Sequence, residues 1–255
     1  MSLKKKFFLS VVSVISIAVI LILYVNFKVS NKGNSFNGRS NNIWAHRGLV
    51  DSGNGEPNSI ESIKSAIDLN INGVELDVFY DVKLDDFIVS HDYPYNYKNG
   101  SILLLDSVFS KFNSISYWLD FKNLEKLSPK EVILSNNKLN FLIHKNKISK
   151  KKLLIESVSV SNLSFYAKGG YYTSWWVLPQ KSKYLSILRN YNYKIKYIFN
   201  KYSSLSMPHK YYERIKTSTG DIPVNLFTVN DSLLIQKFIK DKKVQIILTD
   251  KTYSK

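Results

Sequence analysis

Gly73-Val74-Glu75-Leu76-Asp77-Val78 is a short apolar run that carries two carboxylates two residues apart. Side chains alternate along an extended strand, so Val74, Leu76 and Val78 share one face and Glu75 and Asp77 the other. Two like charges on one buried face repel and lose hydration, which raises at least one pKa at a cost of several kcal/mol unless a cation joins them. Carboxylate oxygens are hard ligands and favour Mg²⁺ or Ca²⁺ over zinc. The competing arrangement, an edge strand with both acids in water, is disfavoured by the flanking Val74, Leu76 and Val78.

Outward from this run, further short apolar runs alternate with longer amphipathic stretches, the pattern of parallel strands joined by crossover helices. The strand candidates are 43–45, 73–78, 87–90, 117–121, 153–157, 171–177, 195–199, 224–229 and 245–248. Nine runs compete for the eight positions of a TIM-type (β/α)8 barrel. The link from Val78 to Phe87 is too short for a helix, so an irregularity is expected there and one later run is expected outside the barrel. Ser59 to Leu69 reads as a helix capped by Asn58, with Ile60, Ile63 and Ile67 on one face. Asp231 to Lys240 reads as another, burying Leu233, Leu234, Ile235 and Phe238.

Several runs end in residues that carry chemistry, which is where barrel active sites sit. Trp44-Ala45 leads into His46-Arg47-Gly48, and Phe87-Ile88-Val89-Ser90 leads into His91-Asp92, so two of the four histidines lie at strand ends. Trp118-Leu119-Asp120-Phe121-Lys122 repeats the period of two, offering an acid and a cation to one face. A surface salt bridge is the other explanation of that pair.

The ordered set His-Arg-Gly, an Asn-Ser helix start, Glu-x-Asp-Val, His-Asp and acid-x-Lys resembles the glycerophosphodiester phosphodiesterase family. The resemblance is strongest from Ile43 to Asn123. It continues through Ile155-Glu156-Ser157, Phe227-Thr228-Val229-Asn230 and Ile247-Leu248-Thr249-Asp250, and it is absent from Leu124 to Lys152. It implies a barrel of the phosphatidylinositol-phospholipase-C type, with His46 and His91 as general acid and base. It also implies one divalent metal on Glu75, Asp77 and Asp120, and phosphate contacts from Arg47 and Lys122. The sequence departs from the family pattern at Glu56-Pro57-Asn58-Ser59, at Asp120 where Glu is commoner, and at Phe227 where Trp is usual.

Ahead of this domain, Lys4, Lys5 and Lys6 precede Phe7 to Phe27, an uncharged apolar run of roughly 30 Å as a helix, about a bilayer's hydrocarbon thickness. Leu23 to Phe27 lacks the small residues of a peptidase site, which favours an uncleaved anchor over a signal peptide. The expected organisation is a cytoplasmic segment 1–6, a transmembrane anchor 7–27, a flexible Ser/Asn/Gly/Lys tether 28–42 and an outward-facing barrel 43–255. The chain has no cysteine, which excludes disulfides and thiolate metal sites.

The net charge of +16 is spread along the chain, and with abundant Lys, Asn, Ile and Tyr it fits the composition of an AT-rich genome. No nucleic-acid-binding signature accompanies it, so no nucleic acid is expected as partner. The expected substrate is a glycerophosphodiester. A lysophospholipid or sphingomyelin cleaved in the phospholipase D sense is the alternative, with Tyr171, Tyr172, Trp175 and Trp176 either forming an apolar approach or packing in the core. An inactive module that binds phosphate or lipid headgroups is the alternative from another class.

Overall fold

The computed structural model describes residues 2–32, 36, 43–50, 55–98, 101–178 and 183–252. In chain order its elements are α1 (Leu3–Ser30), β1 (Ile43–Ala45), α2 (Ile60–Asp68), β2 (Gly73–Asp81), β3 (Asp86–Val89), β4 (Tyr97–Lys98), β5 (Ser101–Ile102), α3 (Leu105–Lys111) and β6 (Ser116–Phe121). There follow α4 (Pro129–Lys145), β7 (Leu153–Ser157), α5 (Val160–Lys168), β8 (Tyr172–Trp176), α6 (Lys183–Ile198), β9 (Ser204–Pro208), α7 (His209–Ile215), β10 (Val224–Phe227), α8 (Ser232–Ile239) and β11 (Val244–Thr249).

Eight parallel strands close into a barrel in the order β1, β2, β6, β7, β8, β9, β10, β11, with β11 returning to β1. The irregularity is β3, which folds back antiparallel on β2 with Val78 opposite Val89 and Asp81 opposite Asp86, outside the closure. Of the nine runs, the third, at 87–90, is thus a strand outside the closure, and the later run at 195–199 also lies outside the barrel.

One strand assignment fails. Ile195–Phe199 is the end of α6 and the turn after it, and the barrel strand is Ser204-Leu205-Ser206-Met207-Pro208. Tyr193 and Tyr197, four apart and buried, mark the helical face. Ser204 and Ser206 sit on the face opposite to Leu205 and Met207 and are fully buried inside the barrel, so the strand lacks the apolar run by which strands are read.

Two cores result. The outer one lies between sheet and helices and takes Val74, Leu76 and Val78 from β2, with Ile63 and Ala66 from α2. Of the α8 residues expected inside, Ile235 and Phe238 are buried and Leu233 is exposed. The inner core gathers Trp44, Trp118, Leu154, Ile246 and Leu248, joined by Phe36. The expected tether is therefore not free throughout: α1 runs to Ser30, and Phe36 packs on Trp44 and Tyr172 at ring-centroid distances of 5.6 and 4.8 Å. Residues 33–35 and 37–42 of that stretch lie outside the described residues.

The inner core also explains Gly73. A Cβ there would stand 2.2 Å from the Trp44 indole. Gly73→Ala is expected to destabilise the barrel by about 1–3 kcal/mol through overpacking, lowering Tm by several degrees in a thermal melt. An unchanged Tm would show that the indole moves aside freely.

Candidate active site

The site stands at the C-terminal ends of the barrel strands and begins where β1 stops. The His46 amide still bonds the Thr249 carbonyl at 3.0 Å, after which Arg47 and Gly48 turn the chain through φ values of 55° and 76°. A Cβ on Gly48 would clash with Ser62 at 2.3 Å, so the turn requires glycine for space as well as for conformation. This turn aims the Arg47 amide at Glu75 Oε2, 2.8 Å away, and brings its guanidinium Nε to 2.9 Å from Asp77 Oδ2.

Glu75 and Asp77 point into the barrel as the period of two requires, and Asp120 lies beside Asp77 in the ladder. All three are buried, and one oxygen from each lies within 4.8 Å of the others. Lys122 bridges two of them, its ammonium 2.6 Å from Asp77 Oδ1 and 2.5 Å from Asp120 Oδ2. The acid-x-Lys pair is thus a buried contact within the site and not a surface salt bridge.

Burial pushes the Glu75 carboxyl well above its ordinary range, Asp77 and Asp120 push it further, and Lys122 with the Arg47 amide offsets part of this. Burial likewise raises Asp120 against the pull of Lys122. Burial alone would lower Lys122, but Asp120 and Asp77 carry it above its ordinary value. A pocket that holds three carboxylates at this cost fits a divalent cation, whose charge would favour all three ionised forms.

The two histidines face the same space. His46, Arg47, Glu75, His91, Asp120, Lys122, Trp176 and Phe227 line one cavity of about 140 Å³. A larger cleft of about 340 Å³ opens on the other side of His46 and Arg47, walled by Val50, Pro57, Asp250 and Lys251. His46 is oriented by Asp250, whose Oδ1 is 2.7 Å from Nδ1, which leaves Nε2 facing Glu75 Oε2 at 3.9 Å. Asn230 holds Asp250 in turn, donating from Nδ2 to Oδ2 at 2.8 Å and accepting the Asp250 amide at 2.9 Å. The His46 hydrogen bond leads in holding the Asp250 carboxyl below its usual range, against partial burial and with help from Asn230. His91 stands at the rim, its side chain 41% exposed and paired with Asp92 at 2.9 Å.

Three residues escaped the sequence reading. Asn58, expected to cap α2, is not the cap: Ser59 is, in a capping box with Ser62. Asn58 instead has φ 59° and clasps Asp77, donating to Oδ2 at 2.7 Å and accepting the Asp77 amide at 3.0 Å. Asp250 carried resemblance but no role, and its position just past a strand end was the available signal. Glu156 is the third, a carboxyl inside the apolar run Leu153–Ser157, opposite Asp120 in the ladder and lining the same cavity. Burial and then Asp120 raise its pKa well above the ordinary value of 4.5, with Ser206, Lys122 and Trp118 offsetting part of this.

The sign for Glu156 follows from linkage. A raised carboxyl pKa makes the folded state hold its proton longer than the unfolded one, so stability falls as pH rises above the ordinary value, by up to about 1.4 kcal/mol per pH unit. Glu156→Gln mimics the protonated form. Its Tm is expected to match the parent near pH 5 and to exceed it at pH 8, and a lower Tm at both would show that the ionised carboxylate is required.

Of the four aromatic residues from 171 to 176 considered for an approach, only Trp176 reaches the cavity, its ring 6.0 Å from Phe227. Trp175 packs outward on Tyr193 and Tyr202, Tyr171 on Tyr166, and Tyr172 on Phe36.

Comparison of the fold agrees with the motifs. A glycerophosphodiester phosphodiesterase from Parabacteroides distasonis superposes with a TM-score of 0.61 at 18% identity, over 82% of this chain and 92% of that one. The fold is that of the glycerophosphodiester phosphodiesterases. A second example of the glycerophosphodiester phosphodiesterase fold, from Agrobacterium tumefaciens, has a TM-score of 0.54 at 12% identity, over 82% of this chain and 96% of that one. A phosphodiesterase from Oleispira antarctica, solved with the product sn-glycerol-3-phosphate, has a TM-score of 0.54 at 17% identity, over 82% and 93%. No protein-family model matches the sequence, and no curated protein matches it.

Proposed function

We propose that this chain hydrolyses a phosphodiester, with a glycerophosphodiester as substrate giving glycerol phosphate and an alcohol. The observation that carries the reading is the convergence of Glu75, Asp77 and Asp120 beside Arg47, Lys122 and two histidines on one cavity at a barrel mouth. Glu75, Asp77 and Asp120 would hold one Mg²⁺ or Ca²⁺, with Asn58 and the Arg47 amide fixing the carboxylates. Such an ion, when bound, supplies Lewis-acid polarisation of a phosphoryl oxygen.

The protein groups divide the remaining work. Arg47 and Lys122 attract the phosphate and stabilise charge that develops on it. His46, with Nδ1 committed to Asp250, presents Nε2 as the base that takes the nucleophile's proton. His91, at the rim where an alcohol departs, gives a proton to the leaving alkoxide. The same two groups serve whether water attacks directly or a glycerol hydroxyl first closes a cyclic phosphate, their roles exchanging in the second step. The alcohol portion would lie in the adjoining cleft by Val50 and Pro57.

The wall formed by Trp176, Phe227 and Leu248 supports a second reading, a lysophospholipid cleaved in the phospholipase D sense. In either case α1, apolar with a mean hydropathy of 2.8 across its most apolar stretch, is the membrane anchor, with the barrel of residues 43–255 on the outer face.

The full chain in detergent should be assayed on glycerophosphodiesters and lysophospholipids, with Mg²⁺, Ca²⁺ or chelator. Metal-dependent release of glycerol phosphate from the former supports the proposal. Preference for lysophospholipid favours the second reading, and binding of the metal without turnover of any diester favours an inactive binding module.

A further inference from the structure

The histidines, the phosphate-binding cations and the metal-binding acids of the inner cavity each have a step to perform, and Trp176, Phe227 and Leu248 give that cavity an apolar wall. Glu156 lines the same cavity and takes no part in those steps.

Its placement follows from β7. Leu153 and Ile155 turn to the outer core and Leu154 to the inner one, so Glu156 follows Leu154 into the barrel, where it is buried. Its ladder neighbours are Asp120 on β6 and Ser174 on β8, with Asp77 beyond Asp120. It therefore stands at the level of the acidic triad, one strand to the side. The triad closes without it: the oxygens that lie within 4.8 Å of one another belong to Glu75, Asp77 and Asp120. Trp118 and Ser206 hydrogen-bond the Glu156 carboxyl instead. Trp118 is opposite Leu154 in the ladder, one layer deeper in the barrel. A carboxylate has about four acceptor sites, so these two bonds leave about half of its capacity for a group in the cavity.

A carboxyl at this place is costly. Burial and the neighbouring Asp120 both oppose its charge, and an apolar side chain of similar volume would carry no such penalty. A destabilising polar group kept beside reacting groups marks a place of ligand recognition. The cavity, about 140 Å³, is below the roughly 300–1,000 Å³ of pockets for drug-sized ligands, so it suits a phosphate with a small polyol and not an acyl chain. Glycerol fits such a lining, its carbons against the apolar wall and its hydroxyls on the carboxyl.

We propose that Glu156 is the specificity-determining residue for the polyol: its carboxyl binds the free hydroxyls of the glycerol portion while Arg47 and Lys122 hold the phosphate and the leaving alcohol extends into the outer cleft. A diester whose three-carbon chain lacks hydroxyls leaves the carboxyl short of partners and is rejected. The inference rests on the phosphodiesterase reading and narrows it to diesters with an unacylated polyol.

Binding of product-like monoesters tests this without turnover. The esters sn-glycerol 3-phosphate and n-propyl phosphate share the phosphate and the chain length and differ only in two hydroxyls. Isothermal titration calorimetry of the full chain in detergent with Ca²⁺ should give a Kd about 10–100-fold lower for the glycerol ester, the effect of hydrogen bonds to a buried carboxyl. Glu156→Leu should bring the two values close together, chiefly by weakening glycerol 3-phosphate. Glu156→Gln, which keeps one acceptor, should reduce the ratio several-fold. Inorganic phosphate and Ca²⁺ should bind both variants much as they bind the parent. Should Glu156→Leu not fold, Glu156→Gln decides, since its Tm is expected at or above that of the parent. No binding of the glycerol ester, equal Kd values in the parent, or a ratio that the variants keep would overturn the proposal. So would a loss of Ca²⁺ affinity as large as that of Asp77→Asn, which would make Glu156 a metal ligand. A chain that shows the ratio and its collapse but turns over no diester would support the polyol site and count against the enzymatic reading alone.

Discussion

Replacing His46 with alanine is expected to lower turnover of a glycerophosphodiester by about 10²–10⁴-fold, the usual contribution of a positioned acid or base. The fold should survive, because the His46 side chain is partly exposed and Asp250, half exposed, can take water in its place. His91→Ala should fall in the same range, and a p-nitrophenyl diester separates the two roles. Its leaving group needs no proton, so His91→Ala should recover most of its loss on that substrate while His46→Ala does not. Recovery by His46→Ala instead would reverse the assignment, and full activity of both would remove the histidines from the chemistry. Asp250→Asn, which keeps shape but disturbs the imidazole's tautomer, should give an intermediate loss in kcat with little change in KM.

Metal removal should have the largest effect of all: chelation is expected to abolish turnover, and restored Mg²⁺ or Ca²⁺ to return it together with thermal stability. At free metal one hundred times Kd, binding to the folded state alone adds about 2.7 kcal/mol, roughly 5–10 °C in Tm for a domain of this size. The gain should depend on pH. Burial raises Glu75 and Asp120 above their ordinary values of 4.5 and 3.8. Without metal the folded chain therefore holds protons that the unfolded chain has lost, and stability falls as pH rises from those values through the folded ones. A bound cation favours the ionised carboxylates and offsets this, so the metal-induced rise in Tm should be larger at pH 8 than at pH 5. Asp77→Asn should remove most of it. A Tm indifferent to metal at both pH values would sink the assignment of the triad.

Legibility in the sequence followed the local physics. Glu75 and Asp77 could be placed on one inward face because strand alternation is a property of a single segment, and Asp120 with Lys122 followed by the same rule. His46 and His91 could be placed at strand ends because apolar runs stop visibly there. Ser204 to Pro208 was illegible for the complementary reason: its inward positions are serines, and Ser204 meets Asn225, whose Nδ2 donates to Ser204 Oγ at 2.8 Å and to Ser174 Oγ of β8 at 3.0 Å. A strand lined with polar partners inside a barrel carries no apolar signature, whereas the neighbouring tyrosine-rich helix imitates one.

The sequence by itself therefore determined the alternation of strands and helices, the apolar N-terminal helix, and the residue types and faces of the proposed metal and phosphate groups, since each depends on neighbours a few positions away. Tertiary structure alone decided which acids converge, because Asn58 on Asp77, Asp250 on His46 and Glu156 beside Asp120 are separated by 19, 204 and 36 positions. It also decided that Phe36 enters the barrel and that the end of α1 meets α6, Asn26 on Lys194 and Lys32 on Tyr197. Pairings at such separations depend on which strands lie next to one another when the barrel closes, and no single segment encodes that.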